Sequence, residues 1–324
     1  MFCRDILQHI AHWLHDRERF FLMMTCKKNM SFNFLFNDDH NYLNILMSPF
    51  YHNFTNISID SCISNMGKNS LPKNLRCLRI YEVLEYYYKF NKNAIPYGIT
   101  HLIFKKNVYQ PLNDYIPSSV THLTFENDYF YIGNTMKKFL FNIKYLSIKC
   151  FPIDMTFNSL THLRCDFVKG SNIDVEEYLE KFLPLTVTHL YLADMGGDVA
   201  YRIPSFVTHL SIASNWNPKV PFTIPSNIIH LTFGKHFNRS IKEIIIPNSV
   251  THLRFGNYFN RSLKYIPSSV THLILGKYFS KKMILPNNVE YLRLHENYEG
   301  TIPKTIQVRL YKNSEDVADV FEVD

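Results

Sequence analysis

Ile266-Pro267-Ser268-Ser269-Val270-Thr271-His272-Leu273 stands a second time, letter for letter, at residues 116–123. Near copies recur along the chain. Aligned on the proline, they fall at Pro96, Pro117, Pro184, Pro204, Pro225, Pro247, Pro267, Pro286 and Pro303. Neighbouring prolines lie 17 to 22 residues apart, except across the gap from Pro117 to Pro184. That gap holds two degenerate copies, at 143–148 and 160–165. Earlier copies begin at Phe54 and Leu75, which gives about twelve rungs. A period near 20 residues is the signature of a solenoid, in which each repeat buries its apolar face only against its neighbours.

Each copy centres on apolar-x-x-Leu-x-apolar, as in Val120 to Phe125, Ile228 to Phe233 and Val250 to Phe255. This is the phrase of leucine-rich repeats. Its second half alternates with period two and predicts a strand. Leu123 and Phe125 then share the inner face, and His122, Thr124 and Glu126 the outer one. The preceding proline suits a turn and has no place inside a ladder. After the strand comes Gly-x-x-Phe-Asn at 234–238 and 256–260, with a looser version at 276–280. The Gly suggests a tight turn and the Phe a return to the core. About ten residues remain before the next proline, too few for a long helix, so extended segments and short turns are expected there.

The pattern resembles the FNIP repeats known from slime moulds and giant DNA viruses. The resemblance runs from residue 54 to about 310. Both key dipeptides, Phe237-Asn238 and Ile246-Pro247, are present.

Residues 1–30 stand outside the repeat. Leu7, Ile10 and Leu14 fall at helical spacing, and Asp16 is placed to cap a second helix carrying Phe20, Met23 and Met24. One reading is a cap over the first rung, which solenoids require. The order Asp5-Ile6-Leu7, Ile10, Leu14, Asp16, Phe20, then Cys26-Lys27-Lys28 also resembles an F-box, although Phe2-Cys3 stands where that family usually has Leu-Pro. The expected architecture is an α+β repeat protein. It has a small helical F-box-like module over 1–48 and a leucine-rich-repeat-like solenoid over 49–312, with a parallel β-sheet on its concave face. An acidic tail or cap follows over 313–324.

Three groups of residues are candidates for function. The F-box resemblance implies that Ile6, Leu7, Ile10, Leu14, Phe20 and Met24 dock a Skp-type adaptor of a cullin–RING ubiquitin ligase. It further implies that the solenoid holds an unknown target protein. The outward strand slots vary from rung to rung, and Arg164, Tyr191, Arg254 and Arg293 are candidates for the target-binding face. Trp216, in the irregular 214–219 stretch, is either an interface anchor or a gap filler. Finally, His101, His122, His162, His189, His209, His230, His252 and His272 share one register. They should stack about 4.8 Å apart. A metal or ligand track would need one special rung and recurring carboxylates, so a structural ladder is the expected role.

Composition narrows the classes. The chain has 324 residues, 46% hydrophobic, and a formal charge of +7. No basic block tracks phosphates, so no nucleic-acid partner is expected. No apolar run reaches membrane-spanning length, so no membrane partner is expected. Six scattered cysteines without a CxxC pair suggest a reducing, cytoplasmic setting. There is no phosphate loop, GxSxG or HExxH motif, so neither an enzyme nor a cofactor is expected. The competing class is a non-enzymatic scaffold whose N-terminal helices only cap the solenoid.

Overall fold

The computed structural model describes residues 14–16, 18–19, 35–48, 50–60, 70–81, 94–109, 112, 115–126, 142–149, 157–166, 179, 183–193, 203–212 and 222–312. The chain forms two compact units, Met1–Ile143 and Lys144–Asp324.

In the first unit the strands are β1 (Phe36–Asn41), β2 (Phe54–Ile59), β3 (Cys77–Ile80), β4 (His101–Phe104) and β5 (His122–Phe125). They pair in chain order, all parallel. Ile57, Leu78, Leu102 and Leu123 stand in register and are buried. So are Ile59, Ile80, Phe104 and Phe125 one alternation later. The residues between them face outward, as period-two alternation requires.

The second unit repeats this plan with β6 (Tyr145–Ile148), β7 (His162–Asp166), β8 (His189–Ala193), β9 (His209–Ile212), β11 (His230–Phe233), β13 (His252–Arg254), β14 (His272–Ile274), β15 (Tyr291–His295) and β16 (Gln307–Tyr311). They are parallel neighbours in that order. The degenerate copies at 143–148 and 160–165 are thus strands β6 and β7. Behind the sheet, β10 (Phe222–Thr223) and β12 (Ile244–Ile245) form a separate parallel pair, and Ile241–Glu243 makes one 3-10 turn. Short extended pieces are what the residues left between strand and proline permit.

The repeated phrase is explained letter by letter. The Ile before the proline is buried at 116, 203, 224, 246 and 266. Pro267 accepts a backbone bond from Val270 at 3.2 Å, closing a turn, and Pro117, Pro184, Pro204, Pro225, Pro247 and Pro286 do the same. The residue two after the proline reaches back to a carbonyl of the previous rung: Ser249 to Ile228 at 2.7 Å, Ser269 to Val250 at 2.8 Å, Asn288 to Ser268 at 2.8 Å. Asn227 reaches Val207 in the same way. The Thr and His amides then share one carbonyl, as Thr271 and His272 share Thr251 at 2.9 and 3.0 Å. The Leu enters the core.

The glycine after the strand opens the expected turn, with Gly234, Gly256 and Gly276 accepting from the Phe237, Phe259 and Phe279 amides at 3.2 Å, and it has a second reason as well. A Cβ on Gly256 would lie 2.2 Å from the Gly234 carbonyl oxygen, and one on Gly276 would lie 2.2 Å from that of Gly256. These glycines let successive turns stack at strand spacing. Among the described residues only Gly98 has a positive φ, 115°.

The N-terminal segment departs from the expected helical module. Its described residues hold one helical turn around Asp16 to Arg19 and a four-residue helix, α1 (Tyr42–Ile45). Residues 36–41, expected within that module, form strand β1 on β2. Asp16 does not cap its helix. The amide of His15 is instead bonded to the Glu18 carboxylate at 3.0 Å. Asp16 is buried, accepts from the Asp38 amide at 2.6 Å and pairs with Arg19 at 3.0 Å. It ties the turn to β1. The tail 313–324 lies outside the described residues.

Candidate functional site: the outward strand face

Every strand turns two or three side chains outward, and registry collects them into columns. The first column begins each strand. In the first unit it runs Asn56, Cys77, His101, His122. In the second it runs Tyr145, His162, His189, His209, His230, His252, His272, Tyr291, Gln307. Ring centroids of adjacent histidines lie 3.8 to 4.2 Å apart, from His162 to His272, with the rings within 14 to 21° of parallel. His101 and His122 lie 4.0 Å apart. This is closer than the strand spacing of about 4.8 Å, so the rings lean into face contact.

The threonine before the histidine fixes the ring. Its Oγ1 stands 2.8 to 2.9 Å from Nδ1 in the pairs 100/101, 121/122, 161/162, 188/189, 208/209, 251/252 and 271/272. The same oxygen lies farther, 3.2 to 3.5 Å, from a carbonyl of the previous rung. That carbonyl already accepts two amides. The hydroxyl and Nδ1 share one hydrogen bond, which fixes the orientation of each ring. Ile229 replaces threonine before His230, and that ring is held by its two neighbours.

Stacking makes charging costly. Burial first, then nearby imidazoles of the column, lower His162, His189, His209, His230 and His252 to about 4. Burial and the Arg79 guanidinium lower His101. Parallel rings also set their Nε2 edges side by side. Among the described residues no three His, Cys, Asp or Glu side chains gather as metal ligands would.

The second column varies. It holds Ser58, Arg79, Ile103 and Thr124 in the first unit. In the second it holds Ser147, Arg164, Tyr191, Ser211, Thr232, Arg254, Ile274, Arg293 and Arg309. Several of its cations are matched within the face. Arg79 meets Asp39 at 3.1 Å, and Lys105 pairs with Glu126 one slot further on. Arg164 meets Asp166 at 3.3 Å and lies over the Tyr191 ring at 4.3 Å. The structure thus brings together Arg164 and Tyr191, two of the expected target-binding residues. Arg254 and Arg293 share the column two rungs apart, separated by Ile274.

Arg309 and Tyr311 join that second pair, although the repeat alignment does not mark them. Arg293 lies 5.4 Å from the centre of the Tyr311 ring. The Tyr311 hydroxyl donates to the Leu275 carbonyl at 2.9 Å, and the ring meets His295 edge-on at 5.2 Å. His295 is buried, donates from Nε2 to the Lys312 carbonyl at 2.9 Å, and accepts at Nδ1 from Asn297 at 3.2 Å. Burial raises the Tyr311 hydroxyl, with Arg254 and Arg293 opposing. The signal for this group is a third outward slot that switches from Gly234, Gly256 and Gly276 to His295 and Tyr311.

Of the expected adaptor-docking residues, Leu14 is described, half-buried in a bend. Ile6, Leu7, Ile10, Phe20 and Met24 lie outside the described residues, as does Trp216. Among the described residues no helix is long and apolar enough to cross a membrane.

Comparison with curated proteins finds no match. The family model for the FNIP repeat matches at three places, residues 88–128, 217–258 and 259–297. The first holds β4 and β5, and the other two run without a break from β10 to β15.

Proposed function

We propose that this protein binds another protein on its repeats and carries no catalysis of its own. In this reading it is the substrate-recognition subunit of a Skp–cullin–F-box ubiquitin ligase, working in the cytoplasm. The observation that carries the binding half is the contrast between the first two outward columns. The histidine column is nearly constant, while the neighbouring column changes from Arg to Tyr to Ser to Thr at fixed spacing. A constant frame under varied, mostly half-buried outward side chains is how repeat proteins build recognition surfaces. Arg and Tyr are the residues that most often anchor such contacts. The ligase half rests on the order Asp5-Ile6-Leu7, Ile10, Leu14 and Phe20 and its resemblance to an F-box.

A second reading is favoured by Asp16. Its bonds to Asp38 and Arg19 fasten the N-terminal turn onto β1, which is what a cap must do. Calorimetric titration of the intact protein with a Skp-type adaptor separates the two. The ligase reading predicts binding at micromolar concentrations. No heat of binding at tens of micromolar would leave a scaffold with an N-terminal cap. A chain beginning at residue 35 keeps β1 and sharpens the test. The ligase reading expects it to stay folded and lose the adaptor, and the cap reading expects it to aggregate.

A further inference from the structure

Nine Lys and Arg stand between residues 235 and 282, against one carboxylate, Glu243. This stretch alone carries more positive charge than the +7 of the whole chain. Apart from Arg254 on β13, these cations stand in the stacked turns and the segments that follow them. Tyr258 and Tyr278 donate backbone bonds to Lys235 and Asn257 at 3.0 and 2.9 Å, which keeps the turns in register. The Asn238 and Asn260 side chains accept from the Asn260 and Ser280 amides of the next rung at 3.0 and 3.1 Å, and Asn260 Nδ2 donates to Ser280 Oγ at 3.0 Å. Arg239, Arg261 and Lys281 follow those three residues directly. Arg261 is pinned by its Nε to the Asn238 carbonyl at 2.8 Å and is exposed. Arg239 leans on Glu243 at 3.5 Å. The patch ends at the next rung, where Glu296 and Glu299 stand in the turn.

Exposed apolar side chains run through the same surface. Ile245, Tyr265 and Ile284 each stand two residues before the proline and are 61%, 47% and 52% exposed. Tyr258 and Tyr278 are also exposed. A patch of this kind marks a contact surface rather than ordinary solvated turns.

We infer that the turns and back of these three rungs, 235–245, 257–265 and 277–284, dock an acidic amphipathic helix of a partner protein. This rests on the protein-binding reading above and names the chemistry of the partner. Charge complementarity selects the carboxylates. The Ile245, Tyr265 and Ile284 column selects an apolar stripe beside them, for which a nucleic-acid backbone has no counterpart. His236 stacks on Tyr258 at 4.8 Å and Tyr278 lies tilted against Tyr258 at 5.0 Å, so the faces between these rings are closed to bases. Rungs recur at about 4.8 Å and helix turns at about 5.4 Å, so a helix lying along the stack offers one carboxylate per rung.

The test is fluorescence anisotropy of the full chain with a labelled 14-residue helical peptide bearing Glu on one side and Leu on the other. Binding should weaken by about tenfold when salt rises from about 50 to 300 mM. Arg261→Glu with Lys281→Glu should weaken it by about tenfold or more, and Tyr265→Ser with Ile284→Ser by several-fold. Lys73→Glu and Lys304→Glu, on other exposed turns, should leave it unchanged. Melting curves identify any variant that fails to fold, and Lys281→Gln then replaces the double reversal. The inference is overturned by no binding, by equal loss in the control variants, or by tighter binding of polyuridylate than of the peptide. Adaptor calorimetry uses a different partner, so either result can fail alone.

Discussion

From β11 to β15 each rung meets the next mainly through side chains of the same kind: Leu on Leu and His on His, with Phe237, Phe259 and Phe279 spaced 6.0 and 6.3 Å. From β1 to β3 the contacts are individual. Thr55 donates to the Phe36 carbonyl at 2.9 Å, Asn56 to that of Asn37, Asp16 accepts from Asp38, and Arg79 meets Asp39. The core columns are alike in both regions. The difference lies outside the core. A middle rung has a copy of itself on each side, so one side-chain type serves both contacts. The first rung faces an unlike segment, and its partners must be specified one by one.

The largest effect should come from breaking the shared core. Leu253 is buried between Leu231 and Leu273, so Leu253→Asp should cost several kcal/mol. Because rungs stabilise one another, hydrogen exchange should show lost protection on β11, β13 and β14 together. Protection lost on one strand only would contradict the coupling.

Next comes the stacked glycine. Gly256→Ala places a methyl carbon against the Gly234 backbone, and about 1–3 kcal/mol of destabilisation is expected. A variant with an unchanged melting temperature would show that the turns can part at no cost.

Asp16→Ala should act on the other region. It leaves the Asp38 amide and Arg19 without their carboxylate, at a cost of about 1–3 kcal/mol. Exchange should rise on β1 and β2 and stay unchanged from β11 to β15. A uniform rise would make the N-terminal turn part of the common frame.

Smaller, and spread along the column, is the response to pH. His162, His189, His209, His230 and His252 sit near 4 when folded, below their ordinary value near 6.5. Between those values the unfolded chain binds more protons, so stability rises with pH. The contribution is complete above about pH 6.5 and is lost as pH falls toward about 4. Melting temperature should fall across that window. His209→Asn with His230→Asn should shallow the fall, and an undiminished slope would assign it to other groups.

The regular region was legible in its letters. Pro267, Leu273 and His272 sit where the repeat period puts them, because one residue type meets its own copy at every rung. Even β6 and β7 kept their Leu-x-apolar pattern where the prolines slip. The first region was not legible in this way. Asp16 reads as a helix cap because Ser, Thr, Asp and Asn favour that position, yet its partner is 22 residues away on β1. Phe36 to Asn41 carries Asn, Asp and His with no alternation, and only its pairing with β2 makes it a strand. Tyr311 on β16 bonds to Leu275 beside β14, two strands back, a contact that no spacing rule announces.

The strand face joins a neutral, fixed histidine ladder to a variable column suited to recognising a partner. Nitrogen NMR of the imidazoles across pH tests its fixed half. His162, His189, His209, His230 and His252 should remain neutral down to about pH 4 and charge in overlapping steps below it. Independent titration of these rings near pH 6.5 would show that the column is neither buried nor coupled.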